Sequence, residues 1–251
     1  MKSICNYLKE IYFLSSMRWA EIKYHLLIRF IILPLFLLGF LLFFRIGNLK
    51  LSPIQGIYIL TGNLVLSLSA GPISLLMQEM SIKKANGLLE IFKLLPITAS
   101  SYTMAIIITE FCAALPGAIM SFVLGMLLFQ IQLEIKFTLL LLLPASFLCS
   151  YCIAGIGSLI GLRTKNPMQA NLVGQIALYL FAFFVPVMIP EKSLPSLLLP
   201  VTWVSPVHQS ARLIRMICTG DINIGLLFLA LLIFLEGSVF LWIGSRSLRA
   251  S

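Results

Sequence analysis

Charge is scarce in this chain. Of its 251 residues, 11 % are Asp, Glu, Lys or Arg, against about 25 % in a soluble domain. With 60 % hydrophobic residues and a mean hydropathy of +1.03, it cannot cover itself in polar surface and reads as an integral membrane protein. Aspartate occurs once, at Asp221, and the two histidines are His25 and His208. An aspartyl dyad is excluded. With neither HExxH nor GxSxG present, the inventory assembles no metal centre and no nucleophile–base pair. There is no GxxxxGK[ST] either, so nothing cradles nucleotide phosphates or magnesium. The expectation is a chain that is not an enzyme by itself and binds no metal or cofactor. The five cysteines are odd in number and lie mostly in apolar runs. Cys149 and Cys152 form a CxxC inside one such run and read as small packing residues. No basic patch is interleaved with exposed aromatics, so the net charge of +9 points to basic loops beside a membrane rather than to nucleic acid. The first 25 residues alternate charged and apolar side chains and lack the continuous core of a cleavable signal.

What the chain has in abundance is long apolar runs. Six reach the roughly 20 residues a helix needs to cross a bilayer: 26–44, 54–77, 102–129, 137–162, 171–189 and 222–243. No strand alternation appears, and backbone groups have no water partners in lipid, so these are expected to be helices of one transmembrane domain over 1–251. Placing both termini in the cytoplasm puts twelve of the eighteen lysines and arginines on the inner side, the orientation the positive-inside bias favours. Ile4, Leu8, Ile11, Ser15, Trp19 and Ile22 share one side of a helix over 1–25, with Lys2, Asn6, Lys9, Ser16 and Lys23 opposite. This predicts an amphipathic helix in the inner membrane interface.

Two connecting segments stand out. The inner loop 78–101 contains NGLLEIFKLLPIT, in which Leu88, Leu89, Phe92 and Leu95 share a helical face while Asn86, Glu90 and Lys93 share another. Pro96 ends the pattern, and Thr98, Ser100 and Ser101 offer N-caps for the third span. The reading is a short cytoplasmic helix over about 82–95, either docking a partner or lying on the lipid surface. The outer segment 186–220 is broken by Pro186, Pro190, Pro195, Pro200 and Pro206 into short helices, tucked at or partly into the outer leaflet. Ser205 and Pro206 form a helix start and Gly220 a stop, with His208, Arg212 and Arg215 on one face and Ala211, Ile214 and Cys218 on the other.

Glu110 and Glu236 fall inside spans, each about two turns from the predicted inner end. A carboxylate there faces a bundle interior or water. It serves either a transport pathway and a cationic substrate, or a contact between helices. Gly155, Gly157, Ser158 and Gly161 make a close-packing surface on the fourth span.

The blocks GLLEIFKLLPIT and WVSPVHQSARLIR, in register with six spans, resemble the permease subunit of type 2 ATP-binding-cassette exporters. In the first, Gly87, Leu88, Leu89, Glu90, Leu95 and Pro96 match the family's inner-loop signature. In the second, Pro206, Ala211 and Arg215 hold the matching places. The resemblance implies an all-α membrane fold in which residues Gly87 to Pro96, Phe92 and Lys93 included, form a coupling helix. That helix would seat in a separate ATPase subunit, which holds the ATP and Mg. It also implies a second permease subunit, as homodimer or heterodimer, in the plasma (bacterial inner) membrane. The family often carries a basic residue early in the third span, where this chain has Glu110 nearby. The short outer loops favour export, of a hydrophobic or amphipathic substrate such as a drug, an antibiotic peptide or a lipid-linked molecule. The alternative is a secondary transporter or channel not coupled to an ATPase. That reading would call for inverted repeats and buried ion sites, and no clear internal repeat is seen.

Overall fold

The computed structural model describes residues 4–26, 42, 53–88, 98–129, 131, 137–164, 166–183, 187–191, 194–197 and 199–250. Among these the chain is helical, with no strand. Helix α1 is Ile4–Ile22. Helices α2, Pro53–Ala70, and α3, Leu76–Ala85, are joined without a break by a π-turn at Gly71–Leu75. There Pro72 lacks an N–H and its ring would crowd the preceding turn, which the wider π-turn relieves. Helix α4 is Ala99–Phe129, α5 is Leu142–Arg163 behind a 3-10 turn, and α6 is Pro167–Phe183. The short α7, Leu199–Val204, leads into α8, Pro206–Thr219, and α9, Ile224–Ala250, closes the bundle.

Among the described residues, four stretches are long and apolar enough to cross a membrane: Ile54–Ala85, Ser100–Leu127, Thr138–Arg163 and Ile224–Gly244. The chain is an all-α membrane protein. Of the six expected spans, the first (26–44) lies outside the described residues except for Leu26 and Leu42. The fifth is represented by α6, which begins earlier than expected, at Pro167, and ends at Phe183. Asn166 starts it, its Oδ1 accepting from the Met168 N–H at 2.9 Å. Residues 187–189, expected to close that span, are bent backbone beside Pro190.

The second span is the hub. Of its apolar window 94 % is buried, against 22 % for Ile224–Gly244, so α2–α3 forms the centre and α9 an exposed flank. Three of its buried hydroxyls are satisfied within the helix, those of Thr61, Ser67 and Ser69 donating to the carbonyls of Ile57, Asn63 and Val65 at 2.6–2.8 Å, whereas the buried Asn63 amide and Ser81 hydroxyl find no partner among the described residues. Helix α5 packs between α2–α3 and α9, and its small residues set the spacing. A Cβ on Gly161 would stand 2.7 Å from the Met77 carbonyl oxygen. One on Gly155 would stand 3.1 Å from that of Gly237, and Gly157 lies against the Pro72 carbonyl. The sequence surface Gly155–Gly161 is thus split between two neighbours. Cys149 and Cys152 are free thiols in the same core.

The C-terminal ends of α3, α5 and α9 meet the N-terminal ends of α4 and α6, together with α1, at one end of the bundle, which is rich in lysine and arginine. This is called the basic end below. Gly220, where α8 turns towards α9, marks the far end.

Candidate functional site

At the basic end the second span does not stop at Met77, as hydropathy suggests, but continues to Ala85. Residues 82–85, expected in the loop helix, therefore belong to the span. The extension is held by its own charges. Glu79 and Lys83 pair across one turn at 2.6 Å, Lys83 and Lys84 sit in the last turn where cations suit the helix dipole, and the Lys84 ammonium donates to the Leu162 carbonyl at 2.6 Å. Gly87 then takes a φ of 69°, the left-handed stop that glycine adopts without strain. On the other side of the loop, the Ser101 N–H donates to Thr98 Oγ1 at 3.2 Å, making Thr98 the N-cap of α4. The Ser101 hydroxyl donates to Glu10 of α1 at 2.8 Å. Between these two fixed ends lies the segment that the sequence reading expects to be the coupling helix. Leu88 is exposed, while Leu89, Glu90, Phe92, Lys93 and Pro96 lie outside the described residues.

The three elements around the loop are tied by one buried charge cluster. Arg18 of α1, only 8 % exposed, donates from Nη2 to Glu110 Oε1 of α4 at 2.7 Å and from Nη1 to Glu79 of α3. Lys83 shares Glu79 with Arg18 and also donates to the Tyr102 hydroxyl, lying 4.9 Å from the centre of that ring. Two cations and two carboxylates thus close a neutral set. Glu110, 2 % exposed, lies against the π-turn: a Cβ on Gly71 would stand 3.4 Å from its Oε2. Burial alone would lower the Arg18 pKa, but the hydrogen bonds and charges of Glu79 and Glu110 hold it above the ordinary arginine range. Arg18 therefore stays charged.

Arg18, Glu79, Lys83 and Glu10 escaped the sequence reading. The available signal was a charge inside an apolar stripe. Positions 11, 15, 18 and 22 share a helical face, and Ile11, Arg18 and Ile22 are the buried residues of α1. Leu8 and Trp19, grouped with that face from sequence, are 58 % and 39 % exposed. The apolar arc is wider than the face that packs, and its remainder points outwards as an interfacial helix requires.

Glu236 sits elsewhere. It accepts from Gln209 Nε2 of α8 at 3.4 Å. Pro206 opens α8 at N1 and the Ser205 carbonyl accepts the first helical bond from Gln209 N, but Ser205 Oγ makes no capping bond. His208 Nε2 lies 3.0 Å from Glu191, Arg212 stacks 5.8 Å over Trp203, and Arg215 donates to the Val187 carbonyl at 3.0 Å while lying 3.4 Å over Tyr58. Arg215 thereby satisfies a carbonyl in the bent backbone that precedes α8. The expected cationic face is divided: His208 and Arg215 are buried with Ala211, Ile214 and Cys218, and Arg212 is exposed. Among the described residues no group of histidine, cysteine and carboxylate could hold a metal.

The family model for the ABC-2 type transporter matches residues 12–218, from the middle of α1 to the end of α8. The chain belongs to the ABC-2 type transporter family. It is a permease subunit, the membrane-spanning and not itself catalytic part of such a transporter. The match takes in the charge cluster, the loop between α3 and α4, and α8. No curated protein matches the chain significantly.

Proposed function

We propose that this permease is the membrane half of an ATP-driven exporter, with its basic end in the cytoplasm and residues 87–96 seated on a separate ATPase that holds the ATP and Mg. The observation that carries this reading is the frame around the loop. Gly87 and Thr98 fix its two ends, and Arg18, Glu79, Lys83 and Glu110 lock the flanking helices to α1. A push on the loop then moves three helices together instead of bending one. The family's general partnership with an ABC ATPase supports the same reading.

A second permease subunit faces α6. Gln169 and Gln175 are exposed on that helix and Asn171 is half-buried, among exposed Leu172 and Ile176. Amide side chains facing lipid are costly, so they belong against protein or a water-filled pathway. A pathway between two such faces, apolar with scattered amides, suits a hydrophobic or amphipathic cargo such as a drug, an antibiotic peptide or a lipid-linked molecule. The test is mild-detergent purification of the tagged permease with identification of what co-purifies. A stoichiometric soluble subunit with a phosphate-binding loop is expected, and Leu89→Asp or Phe92→Asp should remove it while the permease still inserts. Undiminished recovery of the ATPase with both variants would overturn the docking assignment.

A further inference from the structure

A cavity of about 420 Å³ lies between α8 and α9, within the size range of small-ligand sites. The two helices form an antiparallel hairpin about Gly220. Gln209 lies about 16 Å down α8 from that turn, and Glu236 about 18 Å down α9. Their contact puts the cavity floor at roughly half the ~30 Å thickness of a bilayer.

The floor and walls have distinct chemistry. Gln209, 5 % exposed, lines the floor. Its Nε2 is spent on the Trp203 carbonyl at 2.8 Å and on Glu236, but its Oε1 has no donor, and neither has Oε2 of Glu236 behind it. Two buried acceptors therefore want N–H groups, at a cost of about 1–3 kcal/mol each while unmade. One turn along α8, the exposed Arg212 lines the same cavity and stacks on Trp203, with no carboxylate in ion-pair range among the described residues. Residues i and i+3 of a helix are about 5–6 Å apart at Cβ. Beyond them Met216, Phe228 and Leu232 make an apolar wall, and Phe228 is 67 % exposed towards the flank of the bundle.

We propose that this cavity binds a phosphoethanolamine headgroup. The primary ammonium donates to Gln209 Oε1 and Glu236 Oε2, the phosphate meets Arg212, and the chain of the amphipath leaves along Phe228. The two-carbon bridge of ethanolamine matches the one-turn spacing between Gln209 and Arg212. A choline headgroup carries the same charges without N–H donors and leaves both acceptors unmet. The group can come from a phospholipid of the surrounding leaflet or from a transported amphipath that carries it. Neither source depends on how the permease is powered.

The chain has three tryptophans, of which Trp203 lines the cavity, so Trp19→Phe with Trp242→Phe leaves a local reporter. Delipidated permease in detergent is titrated with lysophosphatidylethanolamine and, separately, lysophosphatidylcholine. Saturation about tenfold tighter for the ethanolamine headgroup is expected, the scale of one charge-assisted hydrogen bond. Glu236→Gln should erase the preference, and Arg212→Gln, at an exposed position, should weaken both lipids alike. Equal affinity of the two headgroups in the parent protein, or an undiminished preference in Glu236→Gln, would overturn the proposal. If Glu236→Gln fails to fold, the parent preference and the Arg212→Gln titration decide in its place. Phosphatidylethanolamine retained stoichiometrically through purification identifies the membrane as the source. Binding of the added lysolipid with none retained identifies a transported molecule.

Discussion

Polar side chains from different helices meet at two places in this bundle, but they are completed differently. At the basic end Arg18, Lys83, Glu79 and Glu110 cancel in charge and hold one another from three helices. Midway along α9, Gln209 and Glu236 touch at 3.4 Å and keep an acceptor each without a donor. A cluster closed on itself is a brace: it fixes the relative positions of the helices that contribute to it. The pair beside the cavity keeps two acceptors open, and the proposed headgroup site rests on these. The locations agree with this, since the brace surrounds the loop that the proposed ATPase moves and the open site borders an outward-facing helix.

The comparison breaks most sharply at Arg18. Arg18→Ala leaves two buried carboxylates without their guanidinium and should cost about 3–5 kcal/mol, read as lost thermal stability in detergent and reduced abundance. Adding Glu110→Gln should recover part of it, because Glu79 still has Lys83. No recovery would mean that Arg18 acts through packing and not through charge. Gly161→Ala comes next. Its new Cβ meets the Met77 carbonyl oxygen at 2.7 Å, a backbone atom that cannot swing aside, and about 1–3 kcal/mol is expected, with the largest loss at the brace because Met77 begins the segment that carries Glu79. Thr98→Ala removes the N-cap of α4 and should cost about 1 kcal/mol, with faster hydrogen exchange confined to the first turn of that helix. Glu236→Gln should be the mildest, under about 1 kcal/mol, since the amide still accepts from Gln209. A loss as large as that of Arg18→Ala would show that the site between α8 and α9 is braced too.

The difference between the two sites also explains what could be read from sequence. The cap at Thr98 and the start of α8 at Pro206 follow from local rules within a few residues, and both are present, whereas the stop at Gly87 interrupts the helix expected over about 82–95. The span edge at Met77 misled because hydropathy averages Glu79, Lys83 and Lys84 as loop-like, whereas a helix end ringed by partners keeps them helical. Glu110 stood out in sequence as a charge in a span, but its partner Arg18 lies 92 residues away, and no periodicity links the two. Arg212 and Arg215 looked equivalent on one face. Packing separated them, with Arg215 buried against Val187 and Tyr58 and Arg212 left beside the cavity.

Composition and periodicity by themselves determined that this chain is a bundle of membrane helices with an amphipathic helix before them and a proline-broken segment near the end. Burial of apolar side chains and satisfaction of backbone hydrogen bonds act over one or two turns and leave few other solutions in lipid. Which charges meet was decided only by the tertiary structure. A salt bridge depends on two side chains arriving within about 4 Å from distant helices, and that is set by where glycines let backbones approach. Gly157 and Gly161 seat α5 on the second span, Gly155 and Gly237 seat α9 on α5, and the polar groups at both sites fall where that spacing puts them.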